Sequence, residues 1–316
     1  VSAAVETGSL REDDVTQGST AGTAFIVGPA RSGTSLLYKT LCLHPDASYI
    51  SNWVARYPAA PQSAILNRVA RALPTRRLRT WFADDANAYV YGTSRSVTQR
   101  SFPTPVEGEP VYARAGVARP GGPSPRSVAP ASELPKAFAI VRRFGGGSVV
   151  VSKRIANNLR IPLLADVFPG SRFVVLVRDG RAVAASLSRV DWWEDSFVWW
   201  YGGSPRQWAA DGRDPWEICA RNWVEELAEI ESGLRGVPDA AVLRLRYEDL
   251  VAEPLATLQA VARFVGLPDH AGWRRSVGTL SFPDRNESWK GRLDASTVDR
   301  ITKIQRDGLE RYGYAL

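Results

Sequence analysis

The sequence is poor in the residues that build metal centres and disulfide frameworks. It has two cysteines, Cys42 and Cys219, and two histidines, His44 and His270. A metal site needs denser clustering of Cys, His or carboxylate than this, so no metal is expected. The two cysteines lie in helix-like contexts and read as buried thiols in a reducing compartment, hence a cytoplasmic protein. No apolar run approaches the ~18 residues of a membrane span, so no span is expected. The opening VSAAVETGSLREDDVTQG lacks the apolar stretch of a secretory leader. Residues 1–22 read as a flexible tail ahead of a single domain over 23–316. Lysine occurs only at 39, 136, 153, 290 and 303, so arginine supplies nearly all the cations behind a net charge of +7. Methionine is absent altogether, and composition offers no physical reason for it.

What is present is ordinary for a globular chain, 44% apolar and 23% charged. The basic balance fits an anionic ligand, nucleic acid or an acidic membrane surface, while a GC-rich codon bias accounts for arginine equally well. Four short apolar runs read as buried parallel strands: residues 23–27, 148–152, 172–177 and 240–245. Helical patterns at 34–43, 161–168, 180–189 and 216–234 alternate with them. The alternation predicts an α/β fold, a parallel β-sheet flanked by helices on both faces, with ligand at the carboxyl ends of the strands. Two stretches break the rhythm and read as insertions or lids, at about 84–131 and at 191–216. Within the first, residues 102–131 are dense in Pro and Gly, a long loop or lid. The second holds six of the eleven tryptophans.

The run Gly28-Pro29-Ala30-Arg31-Ser32-Gly33-Thr34-Ser35 follows the first strand and opens a helix. Its glycines are spaced as in a phosphate-binding loop, and the backbone N–H groups of residues 31–35 at a helix N-terminus form an anion cradle. The lysine that reaches β- and γ-phosphates is missing, because Thr34 follows the second glycine. A nucleotide kinase or ATPase also needs an acid for Mg²⁺. Asp179 ends a strand, but Arg178 beside it would compete with a metal.

These residues resemble the donor loop of the sulfotransferases that use 3′-phosphoadenosine 5′-phosphosulfate (PAPS), in which a cation precedes the second glycine. The resemblance continues in order. In RFVVLVRDGRAVAASLSR, Arg178 and Ser186 match the pair that binds the 3′-phosphate, a guanidinium fork with a hydroxyl donor. In VVVSKRIANN, Lys153 matches the strand-end lysine that brings a cation to the reacting centre. In LRLRYEDL, Tyr247 matches the residue near the adenine. Lys290, Gly291 and Arg292 match a C-terminal segment that folds over the 3′-phosphate. The resemblance implies donor binding by Arg31, Ser32, Gly33, Thr34, Ser35, Arg178, Ser186, Tyr247, Lys290, Gly291 and Arg292. It implies catalysis by Arg31 and Lys153, with PAPS as donor and PAP as product. It also implies a small-molecule hydroxyl acceptor and no nucleic acid.

The general base departs from the family. The positions that hold histidine or glutamate in relatives are Ile155 and Ser51-Asn52-Trp53 here. Glu194 and Asp195, in the tryptophan-rich insertion, are the preferred candidates for the catalytic base, with Asp191, Asp46 and His44 behind them. His44 reads first as a stabiliser of its helix end. Trp192 or Trp193 is expected to line the acceptor cavity, and the acceptor to be a glycosylated or aromatic natural product. The competing classes are a Mg-dependent nucleotide phosphotransferase and a non-catalytic basic module that binds RNA or an acidic polymer. The basic stretch 68–81 is either a polymer contact or the wet face of a helix.

Overall fold

The computed structural model describes residues 22–82, 100–121 and 131–316. The tail expected over 1–22 lies outside the described residues except for Gly22, as do 84–99 and 122–130 of the first insertion. The four expected runs are strands: β1 Thr23–Val27, β3 Val149–Lys153, β4 Arg172–Val177 and β5 Val242–Arg246. Ala47–Ser48 adds a two-residue β2, too short to leave a periodic trace in sequence. All neighbours pair parallel in the order β2-β3-β1-β4-β5.

β1, β3 and β4 are buried on both faces because helices cover both. Phe25, Val27, Phe173 and Val175 pack on Phe138, Phe168 and Trp223. Phe25 stacks on Phe173 at 5.5 Å and meets Phe168 edge-on at 5.3 Å. On the other face Ala24, Ile26, Val174 and Leu176 meet Leu37 and Leu41 of helix Thr34–Cys42 and Leu258 and Val261 of helix Pro254–Val265. Helix starts follow capping chemistry. Asp179 accepts from the Arg181 N–H at 2.9 Å to open helix Gly180–Leu187. Asp214 accepts from the Trp216 N–H at 2.8 Å to open helix Pro215–Leu234.

The segment expected to be a long loop is partly helical. Gly108 (φ 73°) turns the chain and Pro110 sits in the first turn of helix Glu109–Arg114. Tyr112 and Val111 of that helix are buried, Tyr112 against Phe138 at 5.8 Å. Composition suggested a loop, but tertiary packing folds the segment onto the sheet. In the second insertion Trp193 and Trp208 join Ile218, Cys219 and Ile301 in a third apolar cluster, so part of its tryptophan is core.

Parallel strands deliver their carboxyl ends to one edge of the molecule. Ile26 pairs with Lys153 on one side and Val174 on the other, which sets the loop after β1 between the ends of β3 and β4. Among the described residues no helix is long and apolar enough to cross a membrane.

Candidate active site

The loop after β1 is clamped at its first glycine. Asn158, just past β3, accepts from the Gly28 N–H at 3.2 Å and donates to the Gly28 carbonyl at 3.0 Å. The same Asn158 amide donates to the carboxylate of Glu226, a buried residue of helix Pro215–Leu234. A carboxyl removed from water resists ionisation, and burial pushes Glu226 up to about 7. Hydrogen bonds from Asn158 and Asn222 and the nearby Lys153 ammonium oppose that shift.

Arg31 adopts φ 70°, the one non-glycine residue with positive φ among the described residues. A left-handed L-residue costs on the order of 1–3 kcal/mol and persists where surrounding structure imposes it. Here the Arg31 Nε donates to the Ser186 Oγ at 3.0 Å. Burial first, then the guanidiniums of Arg178 and Arg285, lower the Arg31 pKa from its ordinary value. Gly33 (φ 88°) caps helix Thr34–Cys42 and makes no side-chain cap bond. A Cβ on Gly33 would lie 2.5 Å from the Tyr247 ring, so the loop seats directly on that ring.

Arg178, at the end of β4, ties the site together. Its Nε donates to the Asn286 Oδ1 at 2.9 Å, one Nη to the Arg31 carbonyl at 3.2 Å and the other to the Arg285 carbonyl at 3.0 Å. The guanidinium lies 4.6 Å over the Tyr247 ring. Three of its five N–H donors are thereby used, and two have no hydrogen-bond partner among the described residues. Lys153, at the end of β3, donates to Glu107 Oε1 at 2.5 Å, and the next residue, Arg154, pairs with Glu109 at 2.7 Å. The insertion is thus fastened to the strand end by two ion pairs.

These groups surround a cavity of about 1000 Å³. Seven cationic side chains and three carboxylates of the described residues line it, a wall suited to a polyanion. Amides at a helix N-terminus, guanidinium N–H groups without partners among the described residues and a serine hydroxyl are the chemistry that phosphate and sulfate oxygens require. Residues 24–271 match the model of a family described as the sulfotransferase family. The chain belongs to that family.

Carbohydrate sulfotransferase 1 of Danio rerio is 27% identical over 181 residues, covering 50% of this chain and 41% of that protein. The omega-hydroxy-beta-dihydromenaquinone-9 sulfotransferase Stf3 of Mycobacterium tuberculosis is 25% identical over 170 residues, covering 48% and 42%. The chain therefore spans less than half the length of these curated relatives. The solved sulfotransferase STF9 of Mycobacterium avium superposes with a TM-score of 0.56 at 14% identity, over 95% of this chain and 79% of that one. That likeness establishes the shared fold.

In this member of the family, Arg31, Gly33, Thr34, Ser35, Lys153, Arg178, Ser186, Tyr247 and Arg292 are brought to the cavity wall. Ser32 lies behind the wall, buried, its Oγ without a hydrogen-bond partner among the described residues. Lys290 and Gly291 are off the wall, and Lys290 pairs with Glu287 instead. Trp192 and Trp193 both line the cavity.

Glu194 and Asp195 do not face the cavity, which corrects the expectation from sequence. Both are mostly exposed and share Arg206, at 3.0 and 2.8 Å. The turn after Trp193 sends the next two side chains outward. His44 is wholly buried, its Nε2 2.8 Å from the Pro268 carbonyl and its Nδ1 accepting from the Asp46 N–H at 3.1 Å. It holds the helix end, and neither it nor Asp46 nor Asp191 reaches the cavity. The residues that sequence reasoning missed are Glu107, Asn158, Glu226, Arg285 and Asn286. For Glu107 the one available sign was the acidic pair Glu107 and Glu109 of the insertion, which could answer the basic pair Lys153-Arg154 at the end of a strand.

Proposed function

We propose that this sulfotransferase transfers a sulfuryl group from PAPS to a hydroxyl of a small-molecule acceptor. The observation that carries the reading is the convergence of Arg31, Lys153 and Arg178, from three strand ends, on one cavity beside uncapped helix amides. Bound there, PAPS would supply an activated sulfuryl group on an anhydride oxygen. The two spare N–H donors of Arg178 and the Ser186 hydroxyl would hold the 3′-phosphate, with Arg285 and Arg292 at the same wall. The loop amides and Arg31 would grip the 5′ side, and Lys153 would stabilise charge as it gathers on the leaving oxygen.

Glu107 is the base this geometry favours. Its carboxylate lines the cavity with its side chain 30% exposed, and the Lys153 ammonium fixes its orientation at 2.5 Å. From there it would take the acceptor's proton as the new S–O bond forms and the S–O bond to the donor breaks. Trp192, Trp193 and Phe197 offer flat apolar walls, which supports an aromatic or glycosylated acceptor of the natural-product kind. Cys42 and Cys219 are free and buried, and burial pushes the Cys219 thiol up to about 12, which suits a reducing compartment such as the cytoplasm.

The phosphotransferase reading loses support at Asp179. That carboxylate is held by Arg181 at 3.0 and 2.8 Å and caps a helix, so it is not offered to a metal. The deciding experiment combines calorimetry with a mass-spectrometric transfer assay. PAP should bind without Mg²⁺ and much more tightly than ATP, and phenolic or glycosylated alcohols should gain a sulfuryl group from PAPS. Equal affinity for ATP, an absolute metal requirement, or salt-sensitive polymer binding without turnover would reject the proposal.

A further inference from the structure

One charged face of the molecule has no part in the site. Residues 47–82 contain no Asp or Glu and six arginines, at 56, 68, 71, 76, 77 and 79. Arg71 and Arg77 are spent internally, Arg71 on the carbonyls of Gly145 and Gly146 and Arg77 on that of Leu43. Arg56, Arg68, Arg76 and Arg79 are exposed, as is Arg143 at the adjoining end of helix Glu133–Gly145. Arg68 donates to the carbonyls of Phe144 and Arg143, which joins the two elements into one surface without neutralising its charge. No ion pair among the described residues engages any of these five.

The same face exposes apolar side chains. Of the eight large hydrophobics exposed among the described residues, four fall here: Tyr57, Ile65, Val69 and Leu73. Trp192 and Phe197 belong to the cavity wall, so the concentration is not a general looseness of the fold. Ile65, Val69 and Leu73 follow at steps of four along Pro61–Ile65, helix Leu66–Ala72 and its cap, which places them on one stripe. Asn67 and Ala70 face inward, so the stripe is the outer face of a packed element. Arg68 and the exposed Ala72 flank it.

Water alone favours neither feature of such a face. An apolar stripe at helical spacing edged by arginines that no described carboxylate pairs matches the anatomy of a segment lying in a lipid–water interface, with the apolar residues below the headgroups and guanidiniums among the phosphates. A nucleic acid would use the arginines and leave Ile65, Val69 and Leu73 in water. We propose that this face docks the protein on an anionic lipid bilayer surface. Arg56 and Tyr57 follow directly on Ala55, which lines the cavity, so the docked face adjoins one wall of the site. The proposal does not rest on the sulfuryl-transfer reading.

The test is flotation of the full chain with vesicles of phosphatidylcholine alone and of equal parts phosphatidylcholine and phosphatidylglycerol. Partition into the anionic vesicles is expected, falling steeply as salt rises to about 0.5 M, with little partition into the neutral ones. Two variants separate the components: Ile65→Ser with Val69→Ser and Leu73→Ser, and Arg76→Glu with Arg79→Glu. All five positions are exposed, and thermal melts and light scattering check the fold and the mass. Each variant should lose roughly tenfold or more in partition. Absence of binding to anionic vesicles, equal binding to neutral ones, or full partition by both variants would overturn the proposal. So would a stripe variant whose oligomeric mass falls while its partition is unchanged, which would make the face a contact between copies.

Discussion

Glu226 offers a test of the clamp beneath the loop after β1 that needs no acceptor. Its carboxyl is buried, hydrogen-bonded by Asn158, and raised from 4.5 to about 7. A raised carboxyl pKa means that the folded protein binds the proton more tightly than the unfolded chain. That stability is fully present below the unfolded pKa and is lost as pH rises through about 7. The difference between the two values is worth about 3 kcal/mol, most of it released between pH 5 and 8. Glu226→Gln keeps an amide oxygen to accept from Asn158 and removes the titration. Urea unfolding of both proteins across that range should show the wild type losing stability relative to the variant by roughly 2–3 kcal/mol. Taking the difference cancels groups common to both, including His44, whose pKa burial lowers. A stability difference that stays flat with pH would mean that Glu226 is ionised throughout, which would refute the raised pKa that its burial implies.

Lys153→Ala should lower turnover far more than PAP affinity, because its charge counts most as the leaving oxygen forms; a loss in affinity alone would refute that role. Glu107→Gln should cut single-turnover sulfation by about 10²–10⁴ with donor affinity retained, and a near-normal rate would move the base elsewhere. Arg178→Ala should weaken PAP by roughly 1.5–3 kcal/mol in calorimetry, with unchanged affinity counting against the 3′-phosphate assignment. Arg31→Gly should release left-handed strain and melt about 1 kcal/mol more stably while losing turnover; a variant that is less stable would show that the bond to Ser186 outweighs the strain.

β1, β3 and β4 were legible because buried parallel strands leave near-continuous apolar runs, and β5, at the sheet edge, still shows Val242, Leu243 and Leu245 among its arginines. β2 escaped because two residues carry no period. Arg31, Arg178 and Ser186 could be read because each stands at a fixed offset from a strand end or a glycine, a local pattern. Glu107, Asn158 and Glu226 could not. Lys153 and Glu107 are 46 residues apart, Asn158 and Glu226 are 68 apart, and Gly28 and Asn158 are 130 apart. Such partners are chosen by the packing of insertion and helix on the sheet, which no local window contains. Glu194 and Asp195 failed for the complementary reason. Nearness in sequence to the tryptophans on the wall says nothing of which way a turn sends the next side chain, and Arg206 drew both outward.

The three acceptors of Arg178 also bear on the order in which this protein is assembled. Arg31 precedes it by 147 residues, while Arg285 and Asn286 follow it by 107 and 108. On a ribosome the sheet could be complete through β5 while that guanidinium still lacked two of its three partners. Contacts of such wide separation carry the heaviest loop-closure entropy and form late. The wall of the cavity around Arg178 would therefore be among the last features to mature. Helix Ala295–Arg311 also follows that point in the chain and buries Ile301, Gln305 and Leu309 in the core, so a chain interrupted before residue 285 would lack part of its packing as well as two partners of Arg178.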